Sequence, residues 1–89
     1  MLPLAIINER MAALRDWGLE GDCIVKDFIF NSHKEAMEFV NKVSEIAEKY
    51  NHHPGILIDY TNVRLSLTTH SERGLTSKDF EVAEEIDKL

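Results

Sequence analysis

The sequence of 89 residues holds one cysteine, two prolines and four glycines. A single Cys23 excludes an internal disulfide, and with it the frameworks of small secreted domains and zinc sites built on several thiolates. So few prolines and glycines, beside 44% hydrophobic residues, exclude a low-complexity or disordered chain. Basic residues are scarce too: 10 Lys and Arg stand against 16 Asp and Glu, a formal charge of −6. Nucleic-acid binding draws its affinity from clustered Lys and Arg on phosphates, so no nucleic-acid partner is expected. No apolar run reaches the roughly 18 residues that span a bilayer, so no membrane partner is expected. The opening MLPLAIINERMAALRDW lacks a basic flank and a small-residue cleavage site, and Glu9 breaks its apolar run. No signal peptide is therefore expected, and the expected location is cytoplasmic. The length suits one domain, residues 1–89, with a thin core, because so short a chain buries only about two-thirds of its unfolded surface.

What is present is a hydrophobic period that changes several times. Ile7, Met11 and Leu14 fall on one stripe, which predicts a helix from about Leu4 to Trp17, with Pro3 at its start and Gly18 as its stop. Cys23 to Phe30 alternates: Ile24, Lys26, Phe28 and Phe30 point one way, Val25, Asp27 and Ile29 the other, as in a strand. Glu20-Gly21-Asp22 reads as a turn, so a short strand at Trp17–Leu19 is expected to pair with it. Ser32-His33-Lys34-Glu35 fits a capping box, and Ala36, Phe39, Val40, Val43, Ile46, Ala47 and Tyr50 then follow helical spacing. That helix should end near Asn51, ahead of Pro54.

Ile56–Tyr60 and Val63–Thr69, separated by Thr61-Asn62, read as a hairpin with Val63, Leu65 and Leu67 inward. Thr76-Ser77-Lys78-Asp79 is a second capping-box candidate, opening a helix with Phe80, Ala83, Ile86 and Leu89 inward. The order α-β-β-α-β-β-α predicts an α+β fold with helices packed on one face of an antiparallel sheet. The face carrying Arg64, Ser66 and Thr68 is too polar for a second core. It is left to solvent, a ligand or another subunit.

Three of the four histidines lie in two places, Asn51-His52-His53-Pro54 and Thr68-Thr69-His70-Ser71. Both are expected at element ends, where functional side chains concentrate, and imidazole suits acid–base work near neutral pH. Adjacent histidines diverge, so they rarely share one ligand atom; one of the pair could instead cap the preceding helix. Asp79 doubles as the fourth residue of its capping box, and His33 reads as a solvated residue of a first turn. No H-x-x-x-H, H-x-H or H-E-x-x-H spacing occurs, so no metal site is expected. Cys23 reads as a small core residue rather than a nucleophile. No Gly-rich phosphate loop is present for a nucleotide.

The string Glu48-Lys49-Tyr50-Asn51-His52-His53-Pro54, then Tyr60, Val63, Leu67, Thr69-His70, Gly74-Leu75-Thr76, Asp79 and Ala83, resembles the pterin-4a-carbinolamine dehydratase family. Trp17 and the Phe28-x-Phe30 pair match upstream, so the likeness covers nearly the whole chain. The resemblance implies a four-stranded antiparallel sheet with three helices on one face, and assembly as a homodimer or homotetramer. It implies a lyase that dehydrates 4a-hydroxytetrahydropterin to quinonoid dihydropterin, in recycling of the tetrahydropterin cofactor, and needs no metal or organic cofactor itself. By the same resemblance His52, His53, His70 and Asp79 are the catalytic set. Pro54, Thr69, Ser71 and Glu72 line the pterin pocket.

Two other readings stay open at this point. One is a protein-binding module, of the kind that stabilises transcription-factor dimers. The other is a relative acting on a molybdopterin-related compound. This chain departs from the family pattern in three places. Gly55-Ile56 replaces the acidic residue and Trp common after H-H-P, Asn51 replaces an Asp, and Arg73 stands where many relatives have Gly.

Overall fold

The computed structural model describes all 89 residues. In chain order it contains helix α1 (Leu4–Ala12), strands β1 (Gly18–Glu20) and β2 (Cys23–Ile29), helix α2 (His33–Tyr50), strands β3 (Gly55–Asp59) and β4 (Asn62–Leu67), a short 3-10 turn (His70–Glu72) and helix α3 (Ser77–Asp87). The strands form one antiparallel sheet in the order β1-β2-β4-β3. The expected α+β order is the observed one.

The core lies between the sheet and the helices. Val63, Leu65 and Leu67 of β4 are fully buried beside Ile24 of β2, Ala36 and Val43 of α2, and Phe80 and Ala83 of α3. Period-2 spacing on the strand and three-and-four spacing on the helices thus meet in one layer. Phe28 and Phe30 extend this layer towards the start of α2, with ring centroids 4.6 and 5.0 Å from that of Phe39.

Several boundaries differ from the sequence expectation. Helix α1 stops at Ala12 rather than Trp17, and Asp16 takes a left-handed backbone with φ of 60°. Trp17 is turned into the core, where its indole Nε1 donates to Asp87 Oδ1 over 2.9 Å. Gly18 is not a helix stop; it opens β1. The β1–β2 turn is Gly21-Asp22, with Gly21 at φ 58°, a conformation that glycine adopts without cost. The second hairpin turns at Tyr60-Thr61, one residue earlier than expected, because Asp59 pairs with Asn62. Leu89 does not face inward: it lies past the end of α3 and is 54% exposed.

The helix caps explain where the chain turns. Ser32 Oγ accepts from the Glu35 N–H as expected, but the Glu35 carboxylate reaches one residue further back, to the Asn31 N–H. At the other end of α2, Asn51 takes the left-handed conformation with φ of 49°, and the His52 N–H donates to the Ala47 carbonyl over 3.0 Å. Asn tolerates that conformation, and the six-to-one bond closes a Schellman turn.

On the open face of the sheet, Arg64 makes two hydrogen bonds to the Asp27 carboxylate, of 2.9 and 3.1 Å. The Arg64 guanidinium holds that carboxyl below the usual carboxylate range. Leu57 on edge strand β3 and Ile29 are exposed on this side. No helix is long and apolar enough to cross a membrane.

Candidate active site

The sheet register brings the two histidine segments together. Gly55 lies opposite Ser66, so His52–Pro54 enter the sheet at the end where Leu67–His70 leave it. The Schellman turn after α2 directs His52 inward, and α3 begins beside both segments.

Asp79 is the centre of the site. It is fully buried on the first turn of α3, and a buried carboxylate costs several kcal/mol unless its lone pairs are occupied. Its Oδ1 lies 2.5 Å from His52 Nε2. Its Oδ2 accepts from the Thr69 hydroxyl over 2.7 Å and from the Thr76 backbone N–H over 2.9 Å. The Thr69 and Thr76 hydroxyl oxygens are 2.8 Å apart. One carboxylate therefore caps α3 with one oxygen and holds an imidazole with the other. The capping and site readings of Asp79 describe the same side chain.

His52 is mostly buried, and its ring pairs through Nε2 alone. No buried side-chain nitrogen or oxygen lacks a partner, so its Nδ1 is open to the surface. His53 points elsewhere and is exposed, with Nε2 2.5 Å from Glu48 Oε2. The divergence expected of adjacent histidines is observed: one ring faces the buried Asp79, its neighbour an exposed carboxylate on the last turn of α2. His70 opens the 3-10 turn with its side chain exposed and without a hydrogen-bond partner. The turn is closed by a two-way backbone bridge between Thr69 and Gly74. Ser71 and Glu72 are exposed on it, and Pro54 is half-buried beside His53.

His52, Thr69 and Asp79 are thus in direct contact, and His53 and His70 flank them as chain neighbours. His33 lies away from this cluster, its ring parallel to that of Tyr60 at a centroid distance of 6.3 Å. No three His, Cys, Asp or Glu side chains converge to hold a metal ion. Two partners were not assigned to the site from sequence, Glu48 and Thr76. Thr76 carried a signal as the cap residue of α3. Glu48 heads the string that carries the resemblance, but its reach to His53 depends on the left-handed turn at Asn51.

The departures from the family pattern acquire physical meaning here. A Cβ at Gly55 would stand 2.7 Å from Ser66 Oγ, so a larger residue there requires Ser66 to move. Arg73 adopts φ of 55°, the left-handed region in which a Gly is unstrained.

The chain is thus a small α+β domain with a histidine–carboxylate pair at one end, an arrangement suited to acid–base chemistry. Comparison with known proteins makes the class specific. The profile of the family described as "Pterin 4 alpha carbinolamine dehydratase" matches residues 2–89. A protein of Sulfurisphaera tokodaii assigned as a pterin-4-alpha-carbinolamine dehydratase is 45% identical, over 93% of this chain and 89% of its own. A Sulfolobus acidocaldarius protein of the same assignment is 41% identical over 93% of this chain and 91% of its own. The crystal structure of a transcriptional coactivator/pterin dehydratase from Brucella melitensis superposes with a TM-score of 0.92 at 32% identity, covering 98% of this chain and 95% of that one. The chain belongs to the pterin-4a-carbinolamine dehydratase family, a family of pterin lyases.

Proposed function

We propose that this protein dehydrates a 4a-hydroxytetrahydropterin to the quinonoid dihydropterin, returning the tetrahydropterin cofactor to its cycle, by histidine acid–base catalysis. The observation that carries this is the His52–Asp79 pair, with the carboxylate fully buried and the other ring nitrogen of His52 open. The reaction breaks the bond between carbon 4a and its hydroxyl oxygen. One imidazolium delivers a proton to that oxygen, which leaves as water; one neutral imidazole takes a proton from a ring nitrogen, whose electron pair forms the new double bond. One proton enters the enzyme and one leaves, so turnover needs no cofactor and no metal.

His52 and His70 exchange these protons, and Asp79 meets the positive charge that forms when His52 is protonated. His53, held by Glu48, binds and orients the pterin. Pro54, Thr69, Ser71 and Glu72 line the face that takes the pterin, with Thr69 acting through its hydroxyl bond to Asp79. The histidines adjoin no enclosed hollow in the single chain; a hollow of about 340 Å³ lies instead among Phe30, Phe39, Lys42 and Leu89.

Substitution tests the roles. His52→Ala and His70→Ala are each expected to lower kcat by about 100-fold or more in a stopped-flow dehydration assay, the usual cost of losing a general acid or base. Either variant at wild-type rate contradicts the assignment of that residue.

The protein is further proposed to work as a homodimer or homotetramer, since β3 is a free sheet edge and the open face of the sheet exposes Leu57 of β3 and Ile29 of β2. Light scattering is expected to give the mass of two or four chains. A single-chain mass at micromolar concentration contradicts this.

A further inference from the structure

Asp79 Oδ2 accepts two hydrogen bonds, one of them from the Thr69 hydroxyl. A hydroxyl carries a single proton, so Thr69 has none left for Thr76. The 2.8 Å contact between the two hydroxyls must then run from Thr76 as donor to Thr69 as acceptor. The relay has one direction: Thr76 O–H to Thr69, Thr69 O–H to Asp79. Two donors on Oδ2 suit an ionised carboxyl, which carries no proton on either oxygen. Oδ1 is then an acceptor, and the contact to His52 Nε2 is made by an N–H.

We infer that Thr69, backed by Thr76, is a positioning residue that fixes the His52 tautomer with the proton on Nε2. Nδ1 is thereby the only nitrogen of His52 that can exchange a proton with a ligand. Which ring nitrogen carries a proton is set by what its other nitrogen bonds, and here that partner is itself held by a threonine relay. The relay concerns the fold of the site alone; its effect on turnover rests on the dehydratase reading above.

The direct test is long-range proton–nitrogen NMR at a pH where His52 is neutral, which separates a protonated ring nitrogen from a bare one. Wild type is expected to show the proton on Nε2 alone. Thr69→Val keeps the side-chain shape and removes the hydroxyl; it is expected to populate both tautomers. In the dehydration assay it should lower kcat about tenfold with KM within about twofold, the scale seen when a group orienting an active histidine is lost. Thr69→Ser, which retains the hydroxyl, should restore both readouts.

Wild-type protein with the proton on Nδ1 overturns the inference without any variant having to fold. So does Thr69→Val with an unmoved tautomer, whether its activity falls or not. A tautomer shift in Thr69→Val together with a wild type that accelerates no dehydration upholds the relay and removes the dehydratase reading instead.

Discussion

Arg73 and Gly55 show how single residues carry the differences between this chain and the pattern it otherwise follows. Arg73 closes the 3-10 turn in a left-handed conformation that costs an L-residue roughly 1 kcal/mol. Arg73→Gly relieves that strain and gives back part of the gain as unfolded-state entropy. It is expected to stabilise the protein by about 0.5 kcal/mol in urea unfolding. A loss of stability would show that the arginine side chain contributes more there than its backbone costs. The two histidine segments stood out in the sequence by their clustering, and Asp79 joined them only through the resemblance. Their pairing was not legible. Nothing in the order of residues says that His52 turns to Asp79 while His53 turns to Glu48; the left-handed Asn51 and the cap of α3 decide it.

Among the elements, the last turn of α3 ties down the part of the fold that periodicity described least well. Asp87 accepts from Trp17 Nε1 and Lys26 Nζ, both over 2.9 Å, and from the Arg15 N–H over 3.1 Å. Lys26 lies on the helix-facing side of β2, only 13% exposed, and its ammonium stands 4.9 Å from the centre of the Phe28 ring. One carboxylate thus joins α3, the segment after α1, and the sheet. Asp87→Ala leaves the Lys26 charge and the indole N–H without their partner. It is expected to cost about 3 kcal/mol in denaturant unfolding, the scale of breaking a buried ion pair from one side. A loss below about 1 kcal/mol would mean that water replaces the carboxylate readily. Helix α2 and strand β4 were readable because long apolar stripes fix their period. The end of α1 was not: Leu14 extended the stripe, but Trp17 gains more from the core and Asp87 than from another helical turn. Leu89 failed similarly, since α3 ends before its side chain can reach the core.

At the scale of the whole molecule, the sheet divides the protein into a packed face, an open face and two ends. The packed face holds the core, and one end holds the histidine–carboxylate pair. The other end carries the exposed stacked rings of His33 and Tyr60. The short length that limits the core also explains the free edge at β3 and the apolar residues beside it. Acidic residues are spread over the surface of all three helices, with Glu9, Glu45 and Glu81 exposed. What the site does is decided by a rate. When 4a-hydroxytetrahydropterin is generated freshly and mixed with the purified protein in a stopped-flow instrument, wild type is expected to speed its conversion to the quinonoid dihydropterin. The acceleration over buffer should be at least about 100-fold, and most of it should disappear in His52→Ala. Decay at the buffer rate in the presence of folded wild-type protein would contradict the account.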